Sequence, residues 1–264
     1  MEISVIIPMY KPDYYIWECL DSLKNQTISQ NEFEILIILN GEKEPYYSQI
    51  NNWINENNIK NIKLLYSEKK GVSNARNLGL NIACGENICF IDDDDYIDIN
   101  YLKELANGLK KYGKNGIVVT NHINFDEQTK KNIYETNYQM GLYTESNLKV
   151  RKIFSTVWGK VIPRKIINQT KFKDYSNGED ALFMLEISKN IKYIAVTENN
   201  IFYYYRMRKK SAHFKKKKIS YILKNSLSLL CEYLKLFFKK EYSKKFVFIR
   251  ILALIKGMFF QLKN

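Results

Sequence analysis

Four consecutive carboxylates, Asp92 to Asp95, end the apolar segment FIDDDDY at residues 90–96. Adjacent like charges repel one another, and the geometry of a strand does not require them. An Asp-x-Asp pair can bind a hard divalent cation such as Mg²⁺ or Mn²⁺ through oxygen ligands, with phosphate oxygens completing the shell. Such a cation neutralises the charge that develops on a departing phosphate. The segment therefore predicts a site for a divalent cation and a diphosphate.

The same aspartates could instead form a solvated acidic turn before a helix that begins near Asn100. Acidic residues favour the N-terminal end of a helix dipole, and Asp98 is a candidate N-cap. The position after an apolar strand favours the cation site, because α/β sheets bind ligands beyond the carboxyl ends of their strands. The chain has no GxxxxGK[ST] loop and no GxGxxG turn after its first strand, which argues against a P-loop NTPase.

The elements that must position these carboxylates can be predicted from the spacing of apolar residues. Apolar, β-branched runs predict strands at 2–8, 33–41, 62–68 and 86–92, and helical spacing predicts helices at 14–26, 47–57 and 73–83. This alternation predicts an open α/β sheet with parallel strands. Downstream, the pattern predicts a helix at 101–112, a strand at 116–125, a loop at 126–146, a helix at 181–190 and strands within 192–206.

The composition indicates a folded core and an unevenly charged chain. Of the 264 residues 45% are apolar, and the net charge is +13. Residues 206–264 hold seventeen Lys and Arg against two acids, whereas the remainder, with 24 basic and 26 acidic residues, is nearly neutral. Four cysteines without a CxxC pair favour reduced thiols in the cytosol over a zinc site or a disulfide framework. The N-terminus is interpreted as a first strand rather than a secretion signal.

Five ordered motifs make the chain resemble the family-2 glycosyltransferases of the GT-A fold, and they extend from residue 4 to about residue 206. They are SVIIPMYKP…ECLDSLKNQT (4–27), GVSNARNLG (71–79), ACGENICFIDDDD (83–95), VWGK (157–160) and GEDALF (178–183). The resemblance implies an α/β fold with an open mixed sheet flanked by helices. It also implies transfer of a sugar from a nucleoside diphosphate with inversion, using Mn²⁺ or Mg²⁺.

The resemblance also implies roles for the residues at matching positions. Pro8, Tyr10, Asn40, Arg76, Asp92 and Asp93 would lie on the nucleotide-sugar side, with Tyr10 stacked on the base, Arg76 lining the pocket and Asp92 at the ribose or supporting the metal. Asp94, the second acid of the DxD motif, would bind the metal, and His213 is a candidate late ligand. Trp158, Lys160 and Glu179 would lie on the acceptor side.

Asp180 would be the catalytic base. An inverting transfer needs a base that deprotonates the acceptor hydroxyl as it attacks the anomeric carbon, on the side away from the metal. Asp180 could instead be the N-cap of the helix that follows, because Asp is a preferred capping residue.

The chain departs from the family pattern after the second strand. It has Leu39, Asn40, Gly41 and Glu42 where the family usually has Asp-Asp-Gly-Ser. The second Asp of that motif typically accepts a hydrogen bond from uracil, and the amide oxygen of Asn40 could take its place. Lys11 replaces the usual Asn and Asp93 the usual Ser, which leaves the spacing of Asp92 and Asp94 intact.

Residues 206–264 predict a basic, amphipathic helical tail. One apolar face is predicted at Ile219, Ile222, Leu223, Leu227, Leu230, Leu234 and Phe237. The more apolar stretch 246–260 is shorter than the ~20 residues that span a bilayer. The lysines and the apolar face of the tail predict binding to an anionic membrane surface. Packing of the tail on the catalytic domain is the alternative, and the two can coexist.

Together these observations predict a GT-A domain at 1–205, with a nucleotide-sugar half at 1–100 and an acceptor half at 101–205, followed by the tail at 206–264. The expected function is transfer of a sugar, from a UDP-sugar donor, to a lipid-linked surface glycan such as a capsule or lipopolysaccharide, at the inner face of the cell membrane. A sugar nucleotidyltransferase, which would release pyrophosphate, is the alternative enzyme. A non-catalytic basic protein that binds a membrane or nucleic acid is the alternative without turnover, although the tail shows no standard nucleic-acid module.

Overall fold

The computed structural model describes residues 1–144, 147, 151–175, 177–197, 200–208 and 218–263. Within these residues the strands are β1 (Ile3–Met9), β2 (Phe33–Asn40), β3 (Ile62–Ser67), β4 (Asn87–Phe90), β5 (Tyr96–Ile97), β6 (Ile117–Val119), β7 (Asn121–Asp126), β8 (Asn132–Glu135), β9 (Gly141–Tyr143), β10 (Lys160–Pro163), β11 (Ile194–Val196) and β12 (Phe202–Met207). The helices are α1 (Tyr15–Lys24), α2 (Tyr46–Glu56), α3 (Val72–Ile82), α4 (Tyr101–Tyr112), α5 (Arg164–Ile167), α6 (Glu179–Ile187), α7 (Ile219–Phe237) and α8 (Lys244–Lys263).

A large mixed sheet forms the centre of the molecule, with the strand order β3-β2-β1-β4-β10-β6-β11-β9. The first four strands are parallel, as predicted, whereas β10 runs antiparallel to both β4 and β6. A smaller sheet has the order β5-β12-β7-β8. The carboxyl ends of β1, β2 and β4 therefore meet at one edge, where the aspartates follow β4.

The strands β1, β2 and β4 are buried along their whole length and largely apolar, because helices cover both faces of the sheet. Successive side chains of β1 alternate between the two faces, so that Val5 and Ile7 join one hydrophobic cluster and Ile6 joins the other. The first cluster also contains residues of α1, α2 and α4, and the second contains residues of α3, α6, α7 and α8. The site edge is thus attached to a rigid, two-sided core.

Two sequence predictions in the second half are wrong. The predicted strand at 116–125 is divided at Thr120 into β6 and β7, which belong to different sheets. The predicted loop at 126–146 contains β8 and β9. All four residues of β8 are exposed, so the strand has no apolar alternation that periodicity could detect.

The C-terminal helices pack on the catalytic core, and the predicted apolar face of α7 is divided, with Ile222, Leu230 and Phe237 against the core and the others exposed. The buried residues of α7 include Ile222, Leu229, Tyr233 and Leu236, whereas Leu223, Leu227 and Leu234 of the predicted face are exposed. The helix carries two apolar stripes, and spacing alone does not tell which one is covered. Helix α8 is 20 residues long, longer than the apolar stretch that predicted it. Among the described residues, no helix combines the length and the apolar character needed to cross a bilayer.

Candidate active site

The acidic segment forms a turn after β4 that is fastened to β12. The buried carboxylate of Asp95 accepts hydrogen bonds from the Tyr203 hydroxyl at 2.7 Å and from the Arg206 backbone N–H at 2.8 Å. The same hydroxyl accepts a hydrogen bond from the backbone N–H of Asp92 at 3.2 Å. Asp95 therefore stabilises the turn, and Asp92 and Asp94 are left at its partly exposed side.

Arg76 joins the acidic segment to the predicted base. Its buried guanidinium donates from Nη2 to Asp92 Oδ1 at 3.0 Å and from Nη1 to Asp180 Oδ1 at 2.6 Å, while Glu179 Oε1 lies 3.7 Å from Nη1. The ring of Phe172 lies beneath it, 5.4 Å from Cζ. Burial lowers the pKa of Arg76, but attraction to the three carboxylates outweighs burial and raises the pKa above its ordinary value.

Helix α3 can carry Arg76 to this position because it packs very close to β1. A Cβ atom at Gly79 would lie 2.5 Å from Ile6 Cγ2, so a larger residue there would push the helix away from the sheet. The motif GVSNARNLG thus combines the functional arginine with the glycine that sets its distance from the strand.

Asp180 is not the N-cap of α6. The helix begins at Glu179, after Gly178 in the left-handed region, and the Asp180 carboxylate accepts hydrogen bonds from Arg76 and, at 3.3 Å, from the backbone N–H of Val157. Burial raises the pKa of Asp180, and the charge of Asp92 adds to this while Arg76 opposes it. Burial and the charge of Asp180 raise the pKa of Glu179 to about 7. A buried carboxylate whose pKa lies closer to neutrality is suited to accept a proton.

Asp180 lies close to the acidic segment. A single guanidinium, that of Arg76, separates its carboxylate from that of Asp92. The prediction that the base lies on the side away from the metal stays a prediction.

Two arginines that were not predicted from the sequence, one in β12 and one just beyond it, contact the acidic segment, and one of them forms an ion pair with it. The buried Arg206 donates from Nε to the Asp94 carbonyl at 2.6 Å and pairs with Glu18, and Arg208 pairs with the carboxylate of Asp94. The guanidinium of Arg208 also lies over the Tyr15 ring, 4.3 Å from its centroid. Four adjacent acids are stabilised by nearby positive charge. The two arginines of the segment YYYRMR, at the end of a predicted strand, were the sequence signal that could have identified these contacts.

Asp92 and Asp94 can supply part of a divalent-cation site. They offer hard oxygen ligands, and Mg²⁺ or Mn²⁺ is often held by one or two carboxylates with substrate phosphates completing the shell. Burial, together with repulsion from Asp92, raises the pKa of Asp94, which a bound cation would reverse. The described residues contain no group of three or more His, Cys, Asp or Glu side chains arranged around a metal position. The candidate ligand His213 lies outside the described residues.

The residues predicted for the nucleotide lie at the same edge of the sheet. Pro8 is buried in β1, opposite Ile38 of β2. Tyr10 follows β1 and is 49% exposed, with its ring over Gly41, where an added Cβ atom would lie 2.7 Å from Cε2. Both ends of the buried Asn40 amide are engaged, because Nδ2 donates to the Met9 carbonyl at 2.7 Å and Oδ1 accepts from the Gly71 N–H at 3.0 Å. Asn40 thus connects β2, β1 and α3, which does not favour its predicted contact with uracil.

A cavity of about 370 Å³ is lined by two of the three predicted acceptor-side residues, Trp158 and Lys160, whereas Glu179 is not part of its lining. Trp158 lines it and stacks on Tyr203 and Tyr205, with ring centroids 4.8 and 5.3 Å apart. Lys160 is buried, and its ammonium donates to the carbonyl groups of Trp158 and Thr156 at 2.6 and 2.7 Å. Burial lowers the pKa of Lys160 to about 7, against the attraction of Asp180. Lys160 therefore stabilises the 156–160 turn, whereas the Trp158 ring is available to a ligand.

The comparison with known proteins gives one family. The family model for glycosyl transferase family 2 matches residues 4–193. The poly(ribitol-phosphate) beta-N-acetylglucosaminyltransferase TarS of Staphylococcus aureus is 26% identical over 212 residues, which cover 77% of this chain and 35% of TarS. The chain thus spans about a third of the length of this curated relative.

Solved structures share the fold. The crystal structure of S. aureus TarS 1–349 in complex with UDP-GlcNAc matches with a TM-score of 0.80 at 22% identity, over 96% of this chain and 72% of that chain. The mannosyltransferase PcManGT from Pyrobaculum calidifontis, in complex with GDP-Man and Mn²⁺, matches with a TM-score of 0.63 at 16% identity, over 97% of this chain and 69% of that chain. The predicted α/β fold of the GT-A type is confirmed.

Proposed function

The chain belongs to glycosyl transferase family 2, as its five motifs predicted, and on that premise we propose that it is an inverting glycosyltransferase that uses a nucleoside-diphosphate sugar. The observation that carries the proposal is the arrangement of Asp92, Arg76 and Asp180, in which one buried guanidinium holds a carboxylate of the acidic segment and the candidate base. A turn with only a structural role would be neutralised by Arg76 alone. The buried carboxylate of Asp180, on the same guanidinium, adds negative charge that such a turn does not need.

The donor occupies the edge formed by β1, β2 and β4 in this proposal. The exposed ring of Tyr10 stacks on the base, Asp92 faces the ribose with Asp93 beside it, and Asp94 is the metal ligand, with His213 as a second candidate. A bound Mn²⁺ or Mg²⁺ would supply Lewis-acid stabilisation of the diphosphate leaving group. The Mn²⁺ named with the mannosyltransferase PcManGT supports the same metal class here.

Asp180 removes the proton of the acceptor hydroxyl in this proposal. Its carboxylate lies between Arg76 and the backbone N–H of Val157, which fix its orientation, and burial raises its pKa toward the range of an effective base. Glu179 precedes Asp180 in the sequence and lies close to the guanidinium of Arg76. Its protonation state therefore changes the net charge around Asp180. The acceptor lies in the cavity lined by Trp158, whose flat ring suits the apolar face of a sugar.

We further propose a UDP-sugar as donor, with a hexosyl or N-acetylhexosaminyl group, and a surface glycan as acceptor. The UDP-GlcNAc bound to TarS and the name of TarS as a poly(ribitol-phosphate) transferase support this choice of classes. A lipid-linked glycan at the cytoplasmic face of the cell membrane is the acceptor that the basic tail favours. In this scheme residues 1–100 hold the donor and 101–205 the acceptor, while Arg206 and Arg208 bring the start of the tail into the site.

A panel of nucleotide-sugars incubated with Mn²⁺ and the full chain tests the proposal. Release of a nucleoside diphosphate, greatest with one UDP-sugar, is the expected result. Release of pyrophosphate from a nucleoside triphosphate and a sugar 1-phosphate, supplied in place of the nucleotide-sugar, would favour the nucleotidyltransferase alternative. Binding of nucleotide without turnover on any acceptor glycan would favour the non-catalytic alternative.

A further inference from the structure

The two C-terminal helices present a second apolar surface on the side away from the core. On α8, Phe248, Leu252, Ile255 and Phe259 recur at intervals of four, three and four residues and are 52%, 51%, 36% and 55% exposed. This spacing places them on one stripe of the helix. Apolar side chains on a surface helix of a folded domain normally face the core, so a stripe of this length that remains in water requires an explanation.

Helix α7 carries a matching stripe. Leu223, Leu227 and Leu234 are 39%, 58% and 40% exposed, and they lie on the opposite flank from the buried Leu229 and Tyr233. Leu230 and Phe237, which lie between the two sides of α7, are partly buried against the core, as is Leu254 of α8. Helices α7 and α8 pack against each other, and each carries one of these exposed stripes. We call these seven exposed residues the outer apolar face.

Basic residues surround the outer apolar face. Lys224, Lys245 and Lys256 are exposed, and the helical spacing places them at the borders of the stripes. Of the two acids in residues 206–264, Glu232 pairs with Lys173 and Lys235, and Glu241 lies 3.7 Å from Lys189. Both acids are thus neutralised by lysines, and the surface is apolar at its centre and positive around it.

We infer that the outer apolar face docks on an anionic lipid bilayer, with the helices lying in the plane of the interface. Apolar stripes flanked by lysines are the pattern of helices that insert to the boundary between headgroups and acyl chains. A second copy of the chain is a poorer occupant, because two surfaces of the same strong positive charge would repel one another. The inference depends on the geometry of α7 and α8 and not on the proposed activity.

Vesicle flotation of the full chain, without donor or acceptor, tests this inference. We expect the chain to float with vesicles of phosphatidylcholine and phosphatidylglycerol and to remain at the bottom with phosphatidylcholine alone. The double variant Leu252→Ser/Phe259→Ser is expected to bind the anionic vesicles about tenfold more weakly, because each substitution removes apolar area that would enter the membrane interface. The matched control, Ile99→Ser/Ile133→Ser, removes apolar residues of similar exposure (51% and 55%) from the catalytic domain and should bind unchanged.

Three results would overturn the inference. The first is equal flotation of the Leu252→Ser/Phe259→Ser variant and the parent chain, which would show that the lysines alone bind lipid. The second is equal binding to neutral and anionic vesicles. The third is absence of binding to the anionic vesicles, and a concentration-dependent dimer that the double variant abolishes would then identify a second copy of the chain as the occupant. Circular dichroism confirms that both double variants are folded, and a chain that transfers no sugar leaves all these results interpretable.

Discussion

The guanidinium of Arg76 determines the electrostatics of the candidate site at the scale of single residues. It is buried among Asp92, Glu179 and Asp180, so that one positive charge serves three carboxylates. Three carboxylates with one cation leave an excess of negative charge, which burial makes costly. Burial and this excess of negative charge raise the pKa values of Glu179 and Asp180. A bound metal ion, or the proton taken from the acceptor hydroxyl, would reduce the excess.

Asp94 and Asp180 are expected to fail in different ways when mutated. Asp180→Asn should lower kcat by about 10²–10⁴-fold, the usual contribution of a general base, and leave donor binding unchanged. Asp94→Ala should also lose transfer, but with weaker metal-dependent binding of UDP. Calorimetric titration of UDP with and without Mn²⁺ separates the two, and Asp21→Asn on the exposed side of α1 is the control. Full transfer by either variant would refute the role assigned to that residue.

The pH dependence of transfer should report the carboxylate pair. Because burial raises the pKa of Asp180 and repulsion from Asp92 adds to it, the acid-side loss of activity, as the base becomes protonated, should lie at a higher pH than an ordinary aspartate would give. The raised pKa of Glu179 has the opposite pH dependence for stability. The native state keeps the Glu179 carboxyl protonated where the unfolded chain has already released the proton. The stability that this proton contributes is therefore lost as the pH rises from about 4.5 through about 7.

Rate profiles and denaturant titrations over this pH range measure both trends. Glu179→Gln removes one member of the pair and should move the acid limb of the rate profile to lower pH. A limb that does not move in this variant would contradict the coupling between Glu179 and Asp180.

Arg208 occupies the carboxylate of Asp94 in the structure and should compete with a cation for it. Arg208→Ala is therefore expected to strengthen the binding of Mn²⁺ alone, because the ion no longer displaces a guanidinium from Asp94. Paramagnetic resonance of free Mn²⁺ measures this affinity without turnover. Arg164→Ala, which removes an arginine bonded to the Gly85 carbonyl away from the acidic segment, is the comparison. Weaker Mn²⁺ binding in Arg208→Ala than in the parent would contradict the competition.

At the scale of elements, α7 supports α6, the helix that carries the candidate base Asp180. Leu229 packs so closely on Gly178, which precedes α6 with a φ of +90°, that a Cβ atom there would lie 2.8 Å from Leu229 Cδ1. Asn225 Nδ2 donates to the carbonyl of Asn177 at 3.0 Å. Helix α8 adds a hydrogen bond from Arg250 to Ser155, in the wall of the cavity. The predicted tail is thus part of the structure that holds Asp180 and the cavity in place.

Substitution of Leu229 tests this support against a neighbour on the same helix. Leu229→Ala should lower the free energy of unfolding by about 2–5 kcal/mol, because it leaves a cavity beneath Gly178, and should also lower kcat as α6 shifts. Leu227→Ala, at a position that is 58% exposed, should change stability by less than about 0.5 kcal/mol. Urea titration of both variants measures the difference. Equal losses would show that α7 is not packed as described.

At the scale of the whole molecule, local patterns predicted the first half of the fold closely. The strands β1 to β4 are largely apolar runs that the fold covers fully or partly. Their positions could therefore be predicted from the order of apolar and polar residues along the sequence. The strands β7 to β9 were divided wrongly or missed because tertiary pairing decides them: β7 leaves the large sheet at Thr120 to pair with β12. The side of α7 that packs on the core could not be predicted from spacing, because both of its stripes are apolar.

The site was predictable as far as the motifs extended. They identified Arg76, Asp92 and Asp180, which the fold brings together although residues 76 and 180 are 104 positions apart. The contacts of Arg206 and Arg208 with the acidic segment were missed, because they depend on the pairing of β12 with β5 and β7, which no local spacing encodes.

The most direct test of the account is the anomalous scattering of manganese in crystals of the full chain grown with Mn²⁺ and UDP. We expect one strong peak next to the carboxylate of Asp94, with the diphosphate oxygens on the other side of the ion and the uracil ring against Tyr10. A peak remote from residues 92–95, or a diphosphate bound with no ion at that turn, would contradict it.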